Sequence, residues 1–272
     1  MSIKLALTAT PNPVKFAPIL YCGPVEAAFR KAAEYGYDGI EIHLRDTADV
    51  SIPELLKLKK ETGLAVTTLG TGIAAFEYGM NFAHPDAEVR RRAVEHVKKF
   101  IALAREIGSA VTIGLMTGRA GKEADREARI DASRGCLAEC GAAADKDGVT
   151  LLLEALNRYE SDYIVTQEDA VFAARAAGGA SYKILADTFH MNIEEKSIPD
   201  TIRKYSSEIG YVHFADSNRR CPGYGHTDFA SAVRALEGAG YDGFISFEFL
   251  PLPEPDTVAK DAIAFVKGLC AR

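Results

Sequence analysis

No apolar run in this chain approaches the roughly 20 residues that a bilayer-crossing helix needs. The opening residues, Met1-Ser-Ile-Lys-Leu-Ala-Leu7, lack the basic and apolar regions of a secretory leader, so the expectation is a cytoplasmic protein with no membrane partner. Basic runs are missing too. With 32 Lys and Arg against 38 Asp and Glu, the net charge of −6 argues against a nucleic-acid partner, because phosphate binding wants a basic face. The five cysteines, Cys22, Cys136, Cys140, Cys221 and Cys270, are odd in number and scattered, which does not fit a disulfide framework. Cys136 and Cys140 stand one helical turn apart, but with no second pair at ligand spacing they read as thiols in a helix rather than a zinc site. Histidine is scarce, six in all, where clustered-metal phosphodiesterases usually take more. Neither a dinucleotide fingerprint nor a Gly-Lys-Ser/Thr phosphate loop is present, which leaves nicotinamide redox chemistry without a binding site.

What is present is a regular alternation. Apolar strand-like runs at 3–9, 38–43, 64–69, 110–115, 149–154, 182–187, 209–213 and 244–248 are separated by segments of helical periodicity at 24–35, 52–62, 86–107, 126–146, 166–177, 198–207, 228–239 and 256–269. Eight strand-helix units without a composition shift, in 272 residues of which 47% are hydrophobic, predict an α/β fold: one (β/α)₈ TIM barrel spanning 1–272. The stretch from Gly70 to Gly79 reads as a loop approached closely by substrate, and the charged face of 86–107 as solvated.

Four of the strands end on an ionisable side chain: Glu154, Asp187, His213 and Glu248. These are 33, 26 and 35 residues apart, each about one strand-helix unit, and ligands of α/β folds gather beyond the carboxyl ends of the strands. An open sheet would splay the four along a line, whereas closure turns them onto one point. Three hard oxygen donors and one imidazole suit Mn²⁺ or Mg²⁺, and also Co²⁺, better than a sulfur-rich zinc site would.

The stretches Glu154-Ala-Leu-Asn-Arg-Tyr-Glu160, Ala186-Asp-Thr-Phe-His-Met-Asn-Ile-Glu-Glu195, Val212-His-Phe-Ala-Asp-Ser-Asn-Arg219, Pro222-Gly-Tyr-Gly-His-Thr-Asp-Phe229 and Glu248 resemble the ketose 3-epimerases of the xylose-isomerase-like superfamily. The resemblance is concentrated in the second half. It implies that Glu154, Asp187, His213 and Glu248 bind a divalent metal and that Glu160, His190 and Arg219 contact substrate. Leu156-Asn-Arg-Tyr-Glu-Ser-Asp162 and Phe249-Leu-Pro-Leu-Pro253 look most like the 5-keto-L-gluconate epimerase branch, so the implied substrate is a small ketose or keto-sugar acid.

The chemistry also follows from first principles. Inverting a carbon beside a ketone removes a weakly acidic C–H proton and leaves an enediolate, which has to be reprotonated on its other face. Glu154 and Glu248 are the expected catalytic acid/base pair, on opposite sides of the substrate. Two further cations, Arg119 and Arg45, follow the fourth and second strands, where a guanidinium would suit a carboxylate; the other reading has them facing solvent or paired with acids such as Asp46 and Asp125. The alternatives are an aldose-ketose isomerase such as one acting on hydroxypyruvate, and a non-catalytic sugar-binding barrel. Apolar and aromatic residues on the outer helices are compatible with a homo-oligomer.

Overall fold

The computed structural model describes residues 3–15, 17–122, 124–178 and 180–270. In chain order the elements are β1 (Lys4–Thr10), β2 (Tyr21–Cys22), α1 (Val25–Tyr35), β3 (Gly39–His43), α2 (Ile52–Thr62), β4 (Ala65–Gly70), α3 (Gly72–Tyr78), α4 (Ala87–Ile107), β5 (Ala110–Ile113) and α5 (Arg126–Asp147). They continue with β6 (Leu151–Glu154), α6 (Gln167–Ala176), β7 (Tyr182–Asp187), α7 (Thr188–Glu194), α8 (Ile198–Tyr205), β8 (Ile209–Phe214), α9 (Phe229–Gly238), β9 (Phe244–Phe247) and α10 (Pro255–Cys270).

All neighbouring strands pair in parallel, and β1 pairs with both β3 and β9, so the eight strands close on themselves. The two-residue β2 pairs with β1 alone and lies outside the ring. The expected (β/α)₈ barrel is therefore the observed one. Its strands are apolar runs because helices cover one face and the packed interior the other. Leu7, Ile40, Ile42, Leu69, Val111, Ile113, Leu151, Leu153 and Val212 are all fully buried. Among the described residues no helix is long and apolar enough to cross a membrane.

The outer helices end where the sequence breaks them. Gly36, Gly63, Gly108 and Gly148 follow α1, α2, α4 and α5 in left-handed conformation, where a Cβ would be strained. Two short helices at the mouth depart from expectation. The segment expected to be a loop between Gly70 and Gly79 holds α3, in which Ile73, Ala74 and Ala75 are buried although Gly72 and Gly79 bound the segment. Directly after β7, the carboxylate of Asp187 accepts the Phe189 N–H at 2.7 Å and starts α7.

Candidate active site

Barrel closure brings four strand ends to one point. Glu154 is the last residue of β6, Asp187 the last of β7, His213 the fifth of β8, and Glu248 follows β9 directly. Register does the alignment: Asp187 stands opposite His213 across the β7–β8 pair. One ligating atom from each of the four lies within 4.8 Å of all the others, and all four residues are buried. The imidazole Nδ1 of His213 sits centrally, 3.7 Å from Glu154 Oε1, 3.9 Å from Asp187 Oδ2 and 3.6 Å from Glu248 Oε2.

Three of these facing atoms, Glu154 Oε1, Asp187 Oδ2 and His213 Nδ1, have no hydrogen-bond partner. Asp187 spends its other oxygen on the α7 cap, so Oδ2 is left for the cluster. Buried polar atoms left unpaired are costly, and three carboxylates crowded in low dielectric repel one another. The proton affinities record that cost. Burial raises Glu154 and Glu248 above the usual carboxylate range, and pushes Asp187 up to about 6 even against the neighbouring charges of Arg219 and His213. A hard divalent cation relieves the repulsion and satisfies the orphaned donors together, so the residues present fit such an ion.

Glu41 and His43, both on β3, belong to the same assembly although the sequence reading gave them no role. Glu41 Oε2 lies 3.0 Å from Nε2 of His213 and 3.3 Å from the Tyr211 hydroxyl, which in turn lies 2.6 Å from Thr67 Oγ1. His43 Nε2 is 3.1 Å from Glu41 Oε1 and 3.8 Å from Glu248 Oε1. The available signal was a carboxylate inside an otherwise apolar strand, Ile40-Glu-Ile42. Such a charge is buried only when it is paired.

Above the quartet, a cavity of about 560 Å³ is lined by Glu154, Glu160, His190, Arg219 and Glu248 at one end. Ile19, Ile73, Phe76 and Leu115 lie in its walls with Lys15 and Glu77. Arg219 has φ of 59°, a left-handed backbone unusual for arginine. That bend turns its guanidinium inward, where it pairs with Glu248, lies 3.4 Å from Asp187 Oδ2 and stacks 4.5 Å from the centroid of the Phe189 ring. Asp216 holds the loop in this shape: its buried carboxylate accepts the N–H groups of Ser217, Gly223, Gly225 and Thr227 at 2.7 to 3.0 Å. Glu160, His190 and Arg219 are thus brought together with the quartet. Arg119 and Arg45 are not. Arg119 donates to the Tyr159 carbonyl at 2.7 Å, Arg45 pairs with Glu77, and both stand outside the cavity lining.

Fold and site together define a parallel α/β barrel with a carboxylate-imidazole centre at the carboxyl ends of its strands. Residues 29–269 match the family model of the xylose isomerase-like TIM barrel, and the chain belongs to that family. It is 34% identical over 226 residues to the L-ribulose 3-epimerase of Mesorhizobium japonicum, covering 82% of this chain and 75% of that protein. It is 33% identical over 226 residues to the D-psicose 3-epimerase of Enterocloster bolteae, covering 78% and 72%. A solved structure of an L-ribulose 3-epimerase superposes with a TM-score of 0.84 at 28% identity, covering 98% of this chain and 94% of that one.

Proposed function

We propose that the protein is a divalent-metal-dependent epimerase that inverts the stereocentre beside the ketone of a small ketose or keto-sugar acid. One observation carries this reading. Two buried carboxylates, Glu154 and Glu248, approach the central His213 Nδ1 to 3.7 and 3.6 Å from the ends of β6 and β9, which β7 and β8 separate in the ring, and both line the cavity. Burial raises both above the usual carboxylate range, so each holds a proton more readily than a free side chain does. In this mechanism one carboxylate removes the C–H proton from one face of the sugar, and the other delivers a proton to the opposite face. Arg219 and His190 orient the sugar's oxygens, and Glu160 accepts a hydroxyl at the cavity edge. Glu154, Asp187, His213 and Glu248 would hold the cation, Mn²⁺ by preference, which would supply positive charge to stabilise the negative charge that develops on the substrate. The relatives named as L-ribulose and D-psicose 3-epimerases favour a ketose and inversion next to its ketone.

The test is a panel of ketoses and keto-sugar acids incubated in D₂O with Mn²⁺. Deuterium incorporation at a single carbon beside the ketone, with the epimer as product, is expected. An aldehyde product with C1–C2 proton transfer would instead identify an aldose-ketose isomerase. Binding without any carbon-bound exchange would identify a non-catalytic barrel.

A further inference from the structure

Asn157, three residues past Glu154 and 1% exposed, sits between two of the cavity's polar groups. Its amide orientation is set by its surroundings. Oδ1 accepts the backbone N–H of Tyr159 at 2.9 Å, which only an oxygen can do, so Nδ2 carries the two donors. One goes to Glu160 Oε1 at 2.8 Å and the other to His190 Nδ1 at 2.7 Å. The backbone N–H of Asn157 points at the same Nδ1, 3.2 Å away.

Two N–H groups converging on one ring nitrogen require that nitrogen to be the acceptor, so the proton of the neutral ring lies on Nε2. Nη1 of Arg219 stands 3.2 Å from Nε2 and competes for the opposite tautomer. A neutral imidazole accepts at one nitrogen only. Two donors on Nδ1, one of them at 2.7 Å, outweigh a single contact at 3.2 Å. The Nε2–H of His190 and the Nη1–H of Arg219 are then neighbouring donors in the cavity lining, an arrangement that an oxygen carrying negative charge satisfies.

We propose that Asn157 is a positioning residue: it locks His190 in the Nε2–H form, aims that donor with Arg219 at the substrate oxygen on which charge develops, and tethers Glu160. The proposal rests on the epimerase reading for its catalytic consequence, but the ring's tautomer is a property of the protein alone.

The experiment follows ¹⁵N shifts of the His190 ring in the diamagnetic Mg²⁺-loaded protein, alongside deuterium exchange on L-ribulose and measurement of bound metal. The wild-type ring is expected to show a protonated Nε2 and an unprotonated Nδ1. In Asn157→Asp the carboxylate replaces a donor with an acceptor and draws a proton to Nδ1. Its kcat is expected to fall on the order of 10²-fold, as when one charge-stabilising donor is misdirected, with KM changing by less than about 3-fold. Asn157→Ser removes the 2.7 Å side-chain donor and leaves the backbone N–H at 3.2 Å against the equally long Arg219 contact, so a shift of the ring toward the Nδ1–H form and a smaller loss in kcat are expected; this variant decides the matter if the Asp variant fails to fold, and an unchanged wild-type tautomer in it overturns the lock. A wild-type ring protonated at Nδ1 overturns the proposal, as does a variant whose tautomer moves while kcat does not. Failure of the wild type to exchange L-ribulose would count against the epimerase reading for that sugar, while the nitrogen shifts still decide the ring.

Discussion

Oε2 of Glu41 lies 3.0 Å from Nε2 of His213, and both side chains are fully buried. The contact fixes which imidazole nitrogen faces the carboxylate cluster, and it couples the two groups electrically. Burial alone would raise the Glu41 carboxyl, but the His213 charge and contact, with the His43 ring 3.1 Å away, outweigh it and hold Glu41 below the usual range. A metal-binding histidine with a carboxylate behind it is a better oriented and more basic ligand. Glu41→Gln is therefore expected to weaken divalent metal binding by about 10- to 100-fold, measured by competition with a chromophoric chelator. Unchanged affinity would remove Glu41 from the metal assembly.

Metal uptake is also expected to depend on pH, with a definite sign. Burial opposes charge on His213, yet the Glu41 and Glu248 carboxylates hold its pKa well above the ordinary value. Burial raises Glu154 and Glu248 and pushes Asp187 up to about 6. In the metal-free protein all four hold protons more tightly than free side chains do, and each has to give up its proton to act as a ligand. Affinity for Mn²⁺ should therefore rise with pH and fall as the pH drops through about 6. Calorimetry in two buffers of different ionisation heat should register proton release on binding, and a pH-independent affinity without release would contradict this account.

In the proposed mechanism the two faces of the intermediate need separate proton carriers, so Glu154→Gln and Glu248→Gln are each expected to stop net epimerisation. The outcome should be asymmetric. Each variant keeps one acid/base and is expected to exchange the carbon-bound proton of one epimer with solvent. Bound metal has to be measured alongside, since both residues also belong to the proposed ligand set. Wild-type epimerisation by either variant would defeat the two-base assignment.

Gly114, just past β5, offers a gentler perturbation of the same carboxylate. A Cβ added there would overlap Oε2 of Glu154, the far end of a side chain that can swing away. The fold should absorb Gly114→Ala with a stability change near the typical 1 kcal/mol of a point substitution. The displaced carboxylate should cost on the order of 10²-fold in kcat, since misplacement by about an ångström has that scale of effect. Thermal melting and turnover, measured together, check the separation. Wild-type kcat in a folded variant would mean that the position of Glu154 does not limit turnover.

Much of this is legible in the sequence because the barrel repeats one rule. An apolar strand that ends on an ionisable residue, recurring at unit spacing, puts Glu154, Asp187, His213 and Glu248 at a common mouth once the ring closes. Glu41 escaped notice because its place within an apolar alternation resembles an outward-facing charge, and only closure of the ring shows that β3 is buried on both faces. Asn157 escaped for a related reason: its role depends on the direction of two N–H bonds toward a histidine 33 residues away, which no spacing encodes. The helix α3 was read as a loop because its bounding glycines are legible in one dimension while the burial of Ile73 and Ala74 is not.

The same limit applies to the substrate's distal end, where two arginines looked suited to a carboxylate. Arg45 is paired with Glu77, whose carboxylate lies in the cavity lining, and Arg119 is engaged with the Tyr159 carbonyl. Among the described residues, the lysine and arginine side chains in the lining are Lys15, on the first loop, and Arg219, which pairs with Glu248 and lies close to Asp187. Truncating Arg45 or Arg119 to Ala should therefore change kcat/KM by less than about 3-fold, and equally for a keto-sugar acid and a neutral ketose, as expected for surface pairs of small net worth. Lys15→Ala is the informative variant. If the physiological substrate carries a carboxylate, this change should selectively lower kcat/KM for the acid by roughly 1.5 to 3 kcal/mol, the scale of a hydrogen bond to a charged group. Equal effects on both sugars would leave Arg219, already paired with Glu248, as the lining cation and favour a neutral ketose. A selective loss in Arg119→Ala would show that the arginine leaves Tyr159 when an acid binds, and would restore the carboxylate clamp expected from its place after the fourth strand.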